Sequence, residues 1–238
     1  MKIAGIFLFL ASIFSACSKP NADSIVNKSI AYHQMDKLKN STLEFTFRNF
    51  RVKAMQKDGR YKYERLFTDS TGKVHDILTN SEFKRLVNDQ QVKLDTASEA
   101  KYSRSINSLV YFTFLPLKLN DEAVQKKYLG ETKIKGKDYY KIEVSFRKEG
   151  GGKDFEDVYY YWFDTQDYSM DYLAYSAGGN RMREVLKQDT VSGIIFQDYI
   201  NYQSPLGDSI TPVIKYDSLL NAGKLRELSR IEMTDIVV

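Results

Sequence analysis

The sequence predicts an α+β fold, a curved antiparallel sheet with helices on one face. Three observations predict it. Short segments of alternating apolar and polar residues recur along the chain and are joined by tight turn sequences, the pattern of neighbouring antiparallel strands. One apolar, helix-compatible segment separates two runs of such strands. Aromatic residues make up 13% of the 238 residues, with 17 Tyr and 14 Phe, and these side chains pack well on a pleated surface.

Pro20 to Ser24 read as a tether. From Ile25 to Leu38 the spacing is helical, with Ile25, Val26, Ile30, Met35 and Leu38 on one apolar face and Asp23 or Ser24 as cap. Leu43 to Arg48 alternates as a half-buried strand. The phase then shifts to Phe50, Val52 and Ala54, which suggests a bulge near Asn49 in one long strand. Lys57-Asp58-Gly59-Arg60 is a hairpin turn by composition, and Tyr61 to Phe67 is its returning strand. Asp69 to Gly72 turns the chain into a strand over Lys73 to Leu78, with two weaker strands between Glu82 and Leu94.

Ser98 to Ser108 is helix-compatible and runs into the apolar stretch Leu109 to Leu119, which Pro116 interrupts. Strands resume around Tyr140 to Phe146. Gly150-Gly151-Gly152 reads as a hairpin tip, because no Lys-Ser/Thr follows to make a phosphate cradle. Val158 to Phe163 is apolar on both faces and reads as a central strand. Met170 to Ser176, Arg181 to Gln188 and Gly193 to Tyr202 complete the second run. In the tail, Ser218 to Leu228 is expected as a short helix and Ile231 to Val238 as a strand.

The N-terminus carries its own signal. Lys2 is followed by the apolar run Ile3 to Phe14, then by the small residues Ser15 and Ala16, and then by the only cysteine, Cys17. The run is shorter than the roughly 20 residues a spanning helix needs and has the layout of an export signal. Phe14-Ser15-Ala16-Cys17 resembles the bacterial lipobox, with Phe14 where the motif usually has Leu. The resemblance implies cleavage before Cys17, acylation of its thiol and new N-terminus, and attachment to a membrane through those chains. Each buried methylene adds about 0.8 kcal/mol to such an anchor. Ser18 after the cysteine resembles an outer-membrane address in enteric-type sorting. The expected organisation is a signal peptide over 1–16, a lipidated tether over 17–24 and one domain over 25–238.

Composition narrows the partners. The formal charge is +4, and Lys and Arg alternate with Asp and Glu throughout, so no clustered basic face points to nucleic acid. A single cysteine allows no internal disulfide. Beyond Cys17 no apolar run is long enough to span, so the part from Ser18 onward is expected to be a soluble monomer.

The layout of helix, strands, apolar helix and more strands resembles the LolA/LolB/LppX superfamily of lipoprotein carriers. That resemblance implies an open, incomplete barrel with helices covering its concave side. More closely, Leu43-Glu44-Phe45-Thr46-Phe47-Arg48, Tyr161-Trp162-Phe163-Asp164, Tyr172 to Ser176, Gly178-Gly179-Asn180-Arg181-Met182-Arg183-Glu184 and Gly193 to Tyr202 resemble an uncharacterised lipoprotein family of Bacteroidota. It implies a cell-envelope location and no particular reaction.

Chemistry is sparse. His33 and His75, the only histidines, lack ligand spacing, so no metal and no cofactor is expected. His33 reads as a surface position on the first helix. His75 and Asp76 are adjacent on a strand and point to opposite faces, which argues against a relay between them. The acidic residues Asp154, Glu156, Asp157, Asp164, Asp167 and Asp171 would serve glycoside hydrolysis only with two carboxyls about 5–9.5 Å apart. No catalytic residues are assigned, and a hydrolase is the least favoured class. The favoured reading is a binding protein whose apolar cavity takes a lipid or an acylated protein. Phe45, Phe47, Tyr160, Trp162 and Phe196 would line the sheet, and Phe112 would belong to the cover. The alternative is an interaction lipoprotein with a filled core.

Overall fold

The computed structural model describes residues 20–149, 155–208 and 210–238. The expected signal peptide, Cys17, Ser18, the triple glycine and Asp154 lie outside the described residues.

Helix α1 spans Ala22–His33. Its cap is Asn21, whose side-chain oxygen accepts the Ser24 N–H at 2.8 Å, rather than Asp23 or Ser24. Asp23 instead sits in the first turn, where a negative charge meets the positive end of the helix dipole. The helix does not run on to Leu38. Gln34 adopts a left-handed conformation (φ 58°), and Met35–Leu38 forms a 3-10 turn. The kink keeps Met35 and Leu38 inside, at 2% and 0% exposure.

Strands β1 (Thr42–Phe47) and β2 (Phe50–Lys57) form a hairpin, not one bulged strand. Phe47 pairs with Phe50, Phe45 with Val52 and Leu43 with Ala54. Paired residues share a face, so a two-residue turn at Arg48-Asn49 moves the inward set from odd to even positions. The phase shift in the sequence was the signature of that turn. Arg48 takes a positive φ of 56° to make it. Strand β3 (Arg60–Asp69) returns through Asp58 and Gly59, both at positive φ, as tight hairpins demand. Then come β4 (Gly72–Thr79), β5 (Phe83–Val87) and β6 (Gln90–Gln91).

Helix α2 covers Thr96–Thr113, capped by Asp95, which accepts the Ser98 N–H at 2.8 Å. It ends three residues before Pro116, and a 3-10 turn follows at Leu117–Asn120. The second run comprises β7 (Val124–Ile134), β8 (Lys137–Phe146), β9 (Tyr159–Asp164), β10 (Met170–Tyr175), β11 (Arg181–Val191) and β12 (Ile194–Gln203). The tail matches the expectation only at its end. Helix α3 is Tyr216–Asn221 and Arg226–Ile231 is strand β13, where a helix over Ser218 to Leu228 was expected, while Met233–Val237 is strand β14, within the expected strand.

Two seven-stranded antiparallel sheets result, ordered β14-β1-β2-β3-β4-β5-β6 and β13-β12-β11-β10-β9-β8-β7. They do not close into a barrel. Only Glu232 separates β13 from β14, so the final segment crosses from the edge of one sheet to the edge of the other. α2 packs on β3, β4 and β5, and α1 on β7 and β12, which places both on the concave side. Ile25, Ile30, Phe45, Ile106, Val110 and Tyr161 are among the residues that fill the main core. Each such large side chain contributes about 1.5–3 kcal/mol when fully buried. Strand β9 lies between β8 and β10 with both faces covered, as its apolar sequence required: a second cluster around Trp162, Tyr139 and Tyr216 lies beneath α3 on the outer face.

His33 is not a surface residue. It is 0% exposed, its Nε2 accepts the Met170 N–H at 3.2 Å and its Nδ1 lies 3.4 Å from the Ile195 carbonyl. That network assigns a neutral ring protonated on Nδ1. Burial pulls its pKa down to about 4.

Candidate functional site

A cavity of about 310 Å³ lies where the two sheets meet α2. Its size is at the lower end of the roughly 300–1,000 Å³ typical of ligand pockets. The β1–β2 turn supplies Phe47 and Phe50, and the last turn of α2 supplies Leu109 and Phe112. Ile231 and Met233, on either side of the crossover between the sheets, close the far wall. These walls are apolar because they are edges of the same core that packs the sheets together.

The polar groups in the cavity are cationic or neutral. No acidic side chain lines it among the described residues; Arg48, Arg65 and Arg183 do. Arg65 belongs to a buried cluster spread over three adjacent strands, in which the register aligns Arg65 with Asp76 and Asp76 with Arg85. Asp76 is 0% exposed. Its Oδ2 accepts from Arg65 Nη2 at 2.6 Å and its Oδ1 from Arg85 Nε at 2.7 Å. Arg65 Nη1 also donates to Ser105 on α2 at 2.8 Å, and the Arg85 guanidinium lies 3.4 Å from the centre of the Tyr102 ring. Two cations share one carboxylate, so this wall carries a net positive charge.

Arg183 is placed differently. Its guanidinium lies 4.0 Å from the Phe112 ring centre and 5.2 Å from that of Tyr175. One Nη donates to the Tyr175 hydroxyl at 3.1 Å. Its buried Nε has no hydrogen-bond partner among the described residues, and neither has the buried Nε2 of Gln197, 5% exposed on β12. Gln197 Oε1 already accepts the Tyr199 hydroxyl proton at 2.8 Å.

Of the side chains expected from sequence to line a cavity, Phe47 and Phe112 do so. Phe45 and Phe196 are sealed in the packed core at 0% and 1% exposure and do not line it. Tyr160 and Trp162 point to the opposite face of β9. The Tyr160 hydroxyl donates to Glu143 at 3.1 Å, and Trp162 Nε1 donates to Asp217 at 3.3 Å. It is Tyr161 and Phe163 that join the inner core. On a strand apolar on both sides, period two cannot tell which parity faces inward. Arg183, Gln197, Tyr199 and Arg65 went unassigned in the sequence. For Arg65 and Asp76 a signal existed: Tyr63 and Arg65 share a face, as do Val74, Asp76 and Leu78, so each charge sits at an inward position.

The remaining chemistry is local. His75 Nε2 pairs with Glu64 at 2.8 Å while Asp76 turns to the arginines, so the two face opposite ways, as adjacency predicts. Asp171 accepts the Tyr139 hydroxyl proton at 3.0 Å and Asp164 accepts the Gln166 N–H at 2.7 Å. No helix of the described residues is long and apolar enough to cross a membrane.

A family model described as a family of unknown function (DUF6503) matches residues 4–233. No curated protein sequence matches the chain. Among solved structures, a LolA superfamily protein from Nitrosomonas europaea is similar at 12% identity and a TM-score of 0.50, covering 92% of this chain and 94% of that one. A DUF1329 family protein from Desulfovibrio piger is similar at 11% identity and a TM-score of 0.50, covering 90% and 92%. The lipoprotein LppX of Mycobacterium tuberculosis aligns at 13% identity over 66% of this chain and 90% of its own, at a TM-score of 0.29. For the first two, at these identities, the likeness is one of fold.

Proposed function

The chain belongs to the DUF6503 family, and from its fold and cavity we propose that it is a lipid-anchored protein of the cell envelope that holds an apolar ligand beneath α2. The observation that carries this reading is the cavity. A soluble fold normally fills the seam between its sheets to close packing; here aromatic and aliphatic side chains surround about 310 Å³ instead. The anchor is Cys17, at the end of an apolar export signal. Acyl chains there would hold a single domain, on a short tether, at the periplasmic face of an outer membrane. The ligand would be a lipid or the acyl part of another protein, and the domain would act as a monomer.

Two measurements test the reading. In cells given a fatty-acid analogue, the parent protein incorporates label and Cys17→Ser remains an unprocessed, unlabelled precursor; equal labelling of both would remove the anchor. Native mass spectrometry and organic extraction of the purified protein should reveal a bound lipid. A protein that carries none and takes up no apolar fluorophore would be an interaction module with a filled seam.

A further inference from the structure

We propose that the cavity selects a single-chain amphiphile with an anionic head, and that Arg183 and Gln197 bind that head inside the cavity. The inference rests on the ligand-binding reading above and adds the chemistry of the ligand.

Three observations converge on it. The first is charge. Three arginines and no acidic side chain line the cavity among the described residues, whereas a pocket for a neutral hydrocarbon needs no cation and is destabilised by a desolvated one. The second is satisfaction. Asp76 engages Arg65 and Arg85 on the neighbouring strands, but Arg183 forms no ion pair with a carboxylate among the described residues. It is held over Phe112 and tied to the Tyr175 hydroxyl, with its Nε hydrogen unused. Gln197, nineteen-twentieths buried among the residues that line the cavity, likewise holds an amide nitrogen that no described group accepts from. Unused buried donors are costly, and a carboxylate or phosphate oxygen is the group that satisfies them best, through charge-assisted hydrogen bonds.

The third observation is polarity along the cavity. Phe47, Leu109, Ile231 and Met233 give the tail an apolar bed. The exposed Arg48 completes the cationic lining. A volume at the low end of the ligand-pocket range suits one acyl chain better than several. A sterol hydroxyl or a triglyceride ester can accept a hydrogen bond but brings Arg183 no negative charge.

The experiment is competition against a neutral apolar fluorophore, N-phenyl-1-naphthylamine, on the purified full chain. Dodecanoate, dodecyl phosphate and dodecan-1-ol share one tail and differ in head. The expected result is displacement by either anion at concentrations at least tenfold below the alcohol, about 1.4 kcal/mol of head recognition. Arg183→Met should bring anions and alcohol within threefold of one another, each measured against that variant's own fluorophore affinity. Gln197→Leu, nearly the same size, should narrow the gap by a smaller factor, and it keeps the test available if Arg183→Met fails to fold. Preference for dodecanoate or for the phosphate then separates a fatty-acid ligand from a lysophospholipid-like one. If the fluorophore binds but the alcohol and the anions compete equally in the parent, head selection is wrong and the cavity reading survives. If the fluorophore does not bind at all, both fall.

Discussion

His33 and Asp76 are ionisable side chains fully enclosed by the fold. His33 is enclosed and neutral, with its pKa drawn down to about 4 by burial. In the unfolded chain it titrates near 6.5, so between these values the unfolded state binds more protons than the folded one. Its contribution is complete above pH 6.5 and is lost as pH falls through about 4. Urea unfolding should show about 3 kcal/mol less stability at pH 4 than at pH 7 from this group, and His33→Gln should remove that part of the slope. Asp76 is the counter-ion that two buried guanidinium groups share. Replacing it with Asn leaves both without a counter-ion and should cost about 3–5 kcal/mol, whereas replacing all three members with Met and Leu should recover most of the loss. Equilibrium denaturation of the single and triple variants checks both statements. The two differ in how far the sequence reveals them. A histidine on an apolar helix face says nothing about whether a strand closes over it, while Asp76, in phase with Val74 and Leu78, was legible as an inward charge once the alternation was taken literally.

At the scale of elements, α2 decides the behaviour of the cavity. Val110 and Phe114 are buried in the core at 0% and 1% exposure, so the end of the helix is fixed. Phe112 leans the other way, half-buried beside Tyr159 and Tyr175 with Arg183 against its face. Phe112→Ala should therefore cost less than the about 3–5 kcal/mol of a fully packed phenylalanine, and should enlarge the cavity and change its fluorophore affinity. Thermal unfolding and titration on one preparation test this; a full core-sized loss with unchanged binding would show Phe112 to be ordinary packing. The hairpin between β1 and β2 shows why element boundaries were only partly readable. The shift from odd to even positions was visible, but a bulge and a two-residue turn produce the same shift, and only the pairing of Phe47 with Phe50 distinguishes them.

At the scale of the molecule, the C-terminal segment holds the two sheets in one arrangement. Strand β13 adds to β12 and strand β14 adds to β1, with one residue between them, and Ile231 and Met233 at that junction also close the cavity. Removing residues 226–238 should strip an edge from both sheets at once. Taking each kcal/mol as about 2–4 °C for a chain of this size, the melting temperature should drop by about 10 °C or more and fluorophore binding should be lost. Calorimetry of the truncated chain measures the first, and retention of binding would show that the junction is not a wall of the site.

Local information was enough for what depends on neighbours in the chain. Alternation and tight turns specified antiparallel strands, and an apolar stretch cut by Pro116 specified where α2 stops. A cysteine after an apolar run specified the candidate anchor. Each follows from periodicity or backbone geometry within a few residues. The tertiary structure decided what depends on distant partners: that Tyr161 rather than Trp162 faces the inner core, that His33 is covered by β10 and β12, and that Arg183 meets Phe112 across the seam. A strand with two apolar faces, or a cation among aromatics, has no preferred side until another sheet or helix packs against it, and the cavity exists only where those packed surfaces fail to meet.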